Sequence, residues 1–161
     1  MNHLTTHEQL TDVLLQFVEG LDDKVPSPIT SSLTADAILD VTTLHAAGLV
    51  PFAIVRGADA IAEAVLRDVG HLDTTHMVTN VRSRVSSAPS GGENMTSAKV
   101  TAYVLAQHWR PGQGVSLDYD RDMLAAVKYT VELVQRSGEW KIKLLKMDPR
   151  WAKGDAGVFS R

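Results

Sequence analysis

Between Thr74 and Met147 four stretches read as strands, each closed off by a turn signal, and no other feature restricts the fold as strongly. They are Thr74 to Val85, Ser97 to Trp109, Met123 to Arg136 and Glu139 to Met147. The links are Ser86-Ser87-Ala88-Pro89-Ser90-Gly91-Gly92-Glu93, then a loop opening at Pro111-Gly112-Gln113-Gly114, then the tight Ser137-Gly138. Short turn-rich links between alternating runs make an antiparallel meander.

Alternation assigns the faces, because side chains two apart in a strand point the same way. In the first strand His76, Val78 and Asn80 share a face. An imidazole beside an amide fits a pocket wall or, more plainly, a solvated hairpin strand. In the second, Ala98, Val100, Ala102, Val104, Ala106 and His108 share a face whose small side chains leave room for a ligand. A lone histidine on such a face is more often a core residue than a catalyst. In the third, Met123, Ala125, Val127, Tyr129, Val131 and Leu133 align, which aims Tyr129 inward.

Helices precede the strands. Two overlapping capping boxes in Thr5-Thr6-His7-Glu8-Gln9 start one, and Leu10, Val13, Leu14, Phe17, Val18 and Leu21 give it an apolar face. It should end near Gly20, with Asp22-Asp23-Lys24 at its carboxyl end. An acid there opposes the helix dipole. It marks either a surface turn or a carboxylate held for a partner such as an imidazole. Pro26-Ser27-Pro28 opens a short helix to about Leu33, and a strand begins at Thr34 and runs to Thr42. Gly48 to Pro51 reads as a loop. The segment from Gly57 to Leu66 is a third helix, with Ile61, Val65 and Val69 on one side. Asp40, in the first strand, is an alternative to Asp22 as an inward carboxylate.

The chain of 161 residues, 44% hydrophobic, is long enough for one domain with a sizeable core. A formal charge of -3 provides no electrostatic footprint for nucleic acid or an anionic membrane. Cysteine is absent, which removes disulfides, thiolate metal sites and cysteine nucleophiles. With no signal peptide pattern and no run of membrane-spanning length, a soluble cytoplasmic protein is expected. A metal site at His71, Asp73 and His76 is not expected, since the odd spacing sends the two rings to opposite faces.

The order of elements, together with Leu72-Asp73-Thr74-Thr75-His76, Val104-Leu105-Ala106-Gln107-His108, Gly138-Glu139-Trp140-Lys141 and Asp148-Pro149-Arg150-Trp151 followed by Gly154-Asp155, resembles the nuclear-transport-factor-two-like superfamily, in its SnoaL-like and scytalone dehydratase branch. The resemblance spans nearly the whole chain. It implies an α+β fold, a cone-shaped half-barrel of curved antiparallel sheet covered by N-terminal helices, also termed cystatin-like. The single domain would comprise helices over about 5–70, the meander over about 74–148 and a closing tail over 149–161. His76 and His108 match the two histidines of the dehydratase site, and Asp22 matches the aspartate paired with one of them. Where scytalone dehydratase has two carbonyl-polarising tyrosines this chain has Leu21 and Val41, and where it has a serine and an asparagine this chain has Val127 and Tyr129.

A more apolar substrate than scytalone follows, with Tyr129 and Asn80 as the remaining donors, Val78 and Met123 among the lining, and Trp151 and Phe159 as lid contacts. For that tail a frayed end anchored by one tryptophan is equally compatible. The expected function is a cofactor-free, dehydratase-like lyase acting on an oxygenated polyketide, terpenoid or similar hydrophobic metabolite. An isomerase, a cyclase or a ligand-binding accessory protein are the alternatives. Leu105, Trp109, Leu124 and Val134 on the outer sheet face imply, with the family habit of burying that face, a homodimer or homotrimer.

Overall fold

The structure is a computed structural model that describes residues 4–87, 96–117 and 121–159. Four helices and six strands follow in the order α1 (Thr6–Asp22), α2 (Pro26–Ser32), β1 (Leu33–Asp40), α3 (Thr42–Ala46), β2 (Ile54–Arg56), α4 (Ala58–Val69), β3 (Asp73–Ser87), β4 (Thr96–Trp109), β5 (Asp122–Arg136) and β6 (Glu139–Gly154). A short 3-10 helix, Ala156–Phe159, ends the described chain. The expected β3–β4 linker lies largely outside the described residues, at 88–95.

One capping box fixes the start of α1: the Thr5 side chain accepts from the Glu8 N–H, and the Glu8 carboxylate accepts from the Thr5 N–H. Leu10, Leu14, Phe17, Val18 and Leu21 are buried along one stripe of this helix. Ile61 and Val65 do the same for α4. These stripes pack with Leu39, Val100, Val104, Val131, Leu133, Ile142 and Leu145 of the sheet to make the main core.

The sheet order is β2-β1-β6-β5-β4-β3. β3 to β6 form the antiparallel meander that the turn signals predict, but β1 joins β6 in parallel, so the sheet is mixed. Two short elements that the sequence reading does not name, α3 and β2, flank the loop read at Gly48 to Pro51. Neither is long enough to show a periodicity of its own.

Two corrections follow from irregularities in the strands. In β3 the register passes from Thr79 opposite Tyr103 to Arg82 opposite Thr101, so Asn80 and Val81 together oppose Ala102. Asn80 takes φ 52° at this bulge, a left-handed conformation that Asn tolerates. The extra residue reverses the alternation. Val81 packs on the core, and Asn80 is exposed rather than on the His76 face. β6, expected to end at Met147, continues through Pro149 to Gly154. The β1 partner of β6 ends at Asp40 opposite Lys146, so beyond that point a residue without an N–H is tolerated. Trp151 accordingly stands in the strand opposite Ala126, 51% exposed, and is not a lid contact. On the outer face Leu105, Trp109 and Leu124 are half-buried, whereas Val134 is buried.

Candidate active site

Asp22 is the last residue of α1, and α1 lies against β3. Its carboxylate is held at three points by that strand. Oδ1 is 2.6 Å from His76 Nδ1 and accepts from Thr74 Oγ1 at 2.7 Å, and Oδ2 accepts from the His76 backbone N–H at 2.8 Å. The acid that seemed misplaced at a helix carboxyl end is thus compensated by an imidazole and two further donors. Burial raises its pKa, but hydrogen bonding and charge from His76, with Thr74, outweigh that and hold the carboxyl below its ordinary value. An ionised carboxylate only accepts, so Nδ1 carries the ring proton and Nε2 is left as the basic nitrogen. The His76 side chain is only 6% exposed. Asp40 is engaged elsewhere, accepting from the Thr42 N–H at the start of α3.

His108 comes from the neighbouring strand. Register places it opposite Thr74 and places Ala106 opposite His76, so the two imidazoles are diagonal neighbours on one face. Their ring centroids are 5.5 Å apart and nearly perpendicular. Nδ1 of His108 is buried without a hydrogen-bond partner among the described residues. Burial, reinforced by the charge that His76 can carry, pulls its pKa down to about 4. His108 is therefore neutral near pH 7. Phe159 closes over it, with ring centroids 5.0 Å apart.

Both rings line a cavity of ≈ 100 Å³, the order of space one ring occupies. Its walls are mostly apolar and include Leu21, Val41, Met123, Val127 and Phe159. Tyr129 also lines it, with its phenol held above the ordinary pKa by burial and by the Asp22 charge, so it remains a donor. Val78 packs on the core instead of lining the cavity, and Asn80 and Trp151 lie away from it. Among the described residues no three His, Asp or Glu side chains gather as metal ligands. No helix among them is long and apolar enough to cross a membrane.

Among its site residues the sequence reading names neither Thr74, which holds the Asp22 carboxylate, nor the lining residues Leu49, Val50, Phe52 and Asp68. Thr74 shares the His76 face and was open to inference by alternation. Leu49, Val50 and Phe52 sit in an irregular segment that no periodicity describes. Asp68 lies three residues after Val65 on the inward side of α4, where a charged residue on an apolar stripe is itself a signal.

The arrangement sets a carboxylate-paired imidazole and a second, neutral imidazole against an apolar cavity, and comparison with known proteins gives the family. Residues 2–146 match the family model of the SnoaL-like domain. The chain belongs to the SnoaL-like family. A relative of this SnoaL-like protein is the "terrestric acid biosynthesis cluster protein E" of Penicillium crustosum, 29% identical over 160 residues, covering 98% of this chain and 92% of that one. Among solved structures it is similar to a putative scytalone dehydratase from Novosphingobium aromaticivorans, with TM-score 0.66 and 17% identity over 90% of this chain and 84% of that one. It is also similar to a hexachlorocyclohexane dehydrochlorinase from Novosphingobium barchaimii, with TM-score 0.67 and 20% identity over 95% and 92% of the two chains. At these identities the structural likeness speaks for the fold.

Proposed function

We propose that this SnoaL-like protein is a tailoring enzyme of secondary metabolism, a dehydratase-like lyase for an oxygenated, largely hydrophobic metabolite such as a polyketide or terpenoid. The observation that carries the reading is the half-buried Asp22–His76 pair, whose imidazole faces an apolar cavity beside a neutral His108. The biosynthetic-cluster relative supports the setting, and the names of the structural neighbours, a dehydratase and a dehydrochlorinase, agree with an elimination.

In this reading Nε2 of His76 removes a proton from carbon next to a carbonyl or similar activating group. Asp22 stabilises the imidazolium that forms. The N–H of neutral His108 and the Tyr129 hydroxyl donate to the oxygen on which charge develops, in a site where low polarity strengthens each bond. The electron pair of the broken C–H bond then forms the C=C bond as hydroxide leaves, and the imidazolium proton completes the departing water. Returned to a different carbon, the same proton would make an isomer, so mass separates the two outcomes. The protein's own side chains supply every group in this scheme. A second copy of the chain is proposed to cover the outer sheet face, as a homodimer or homotrimer.

The test is turnover against affinity. His76→Ala should abolish conversion of a metabolite that the wild type transforms while leaving its binding within a few-fold. Binding without conversion by either protein would instead make this a ligand cup.

A further inference from the structure

Among the described residues Asp68 is the one carboxylate that lines the cavity, and the scheme above gives it no task. It sits in the last turn of α4, which packs over β1 and β2 at the sheet edge opposite β3. Only Gly70, His71 and Leu72 separate α4 from β3, the strand that carries His76, and Asp68 lines the cavity from that last turn. The carboxyl end of a helix disfavours a negative charge. Among the described residues no hydrogen bond or ion pair engages the carboxyl, and Arg67 beside it extends outward to Glu63, 3.5 Å away. Burial pushes the acid up to about 6 against the weaker pull of Arg67. A partly buried carboxyl without a protein partner gives up part of its hydration, and a ligand hydroxyl in the cavity can replace it.

We propose that Asp68 is a further polar contact for the substrate, accepting a hydrogen bond from a hydroxyl that the substrate carries apart from the carbon His76 deprotonates. The inference rests on the reading of this cavity as the substrate site. It defines the substrate as bifunctional: an activated carbon at His76, an apolar body against lining side chains such as Leu39, Val127 and Met147, and an alcohol or phenol at Asp68. A purely hydrocarbon ligand would leave Asp68 unsatisfied, so the hydroxyl discriminates between substrates.

The probes are acetophenone and 4-hydroxyacetophenone, titrated into the full chain at neutral pH and followed by calorimetry or ligand-observed NMR. The wild type should bind the hydroxylated ketone about tenfold more tightly, the factor expected for a hydrogen bond to a charged group. Asp68→Leu should abolish that preference, and Asp68→Asn, which keeps the shape, should reduce it to a few-fold. Equal affinity of the wild type for the two ketones, an Asp68→Leu variant that keeps the preference, or failure of both ketones to bind at millimolar concentration would overturn the proposal. No turnover is involved. A failed acid/base scheme would therefore show as an inert wild type that still prefers the phenol.

Discussion

Asp22 Oδ1 lies 2.6 Å from His76 Nδ1, although the two residues are 54 positions apart in the chain. The contact joins the end of a helix to the edge strand of the sheet, and it fixes which imidazole nitrogen is basic. Asp22→Asn keeps the size of the side chain but removes the charge that stabilises the imidazolium. We expect turnover to fall about 10²–10⁴-fold with substrate affinity little changed. Thr74→Val, which removes one of three donors to the carboxylate, should cost about tenfold in turnover. Steady-state kinetics of the two variants check both, and an unimpaired Asp22→Asn variant would remove Asp22 from the mechanism.

Stability should respond to pH through two groups that act oppositely. His108 binds its proton near 6.5 in an unfolded chain but only at about 4 in the fold, so the stability it contributes is complete above pH 6.5 and is lost as pH falls toward 4. Asp68 titrates at 3.8 unfolded and about 6 folded, so its penalty diminishes as pH falls through the same window. The two offset each other in the wild type, whose stability should vary little between about pH 6 and 4. Asp68→Asn should unmask a loss of up to about 1.4 kcal/mol per pH unit there. At neutral pH the same variant should melt about 2–4 °C higher, for roughly 1 kcal/mol of relieved burial after allowance for solvent screening. Denaturant titrations across the pH range read both effects.

Phe159 covers His108 at a centroid distance of 5.0 Å. Phe159→Ala should admit water, and the His108 pKa should climb from about 4 toward its ordinary value. Ring-carbon NMR shifts of His108 follow the change directly. An unaltered titration would mean that the sheet alone desolvates the ring.

Much of this arrangement was legible in the chain. Alternation along β4 and β5 put His108 and Tyr129 on the inward face, and the turn signals delimited the meander closely. Local patterns ran out where a residue's placement depends on a partner distant in sequence. The alternation of β3 holds from His76 to Val78 and then breaks at Asn80, because the bulge opposite Ala102 inserts one residue. Trp151, expected at the cavity mouth from the resemblance of the tail, stands instead in β6, which runs past Met147 and Pro149 to Gly154 where the β1 pairing has stopped. The choice between Asp22 and Asp40 could not be made from spacing. It is decided by α1 docking on β3, while Asp40 turns to the Thr42 N–H.

The outer sheet face carries a row of Met77, Leu105, Ala126 and Trp151, paired in that order across four strands, with Met77 45% and Trp151 51% exposed. If a second copy covers it, Leu105→Glu with Trp151→Glu should shift the protein to monomer in size-exclusion chromatography with light scattering. A wild type that is monomeric at micromolar concentration would contradict this assembly.

The central claim, that His76 is a base for carbon acids, is tested most directly in deuterium oxide. Wild type and a His76→Ala, His108→Ala double variant would each be incubated with pooled hydroxylated polyketides and terpenoids and followed by mass spectrometry. The account predicts compounds that lose water, or that gain deuterium at carbon, with the wild type alone. Compounds retained by both proteins with neither dehydration nor exchange would contradict it.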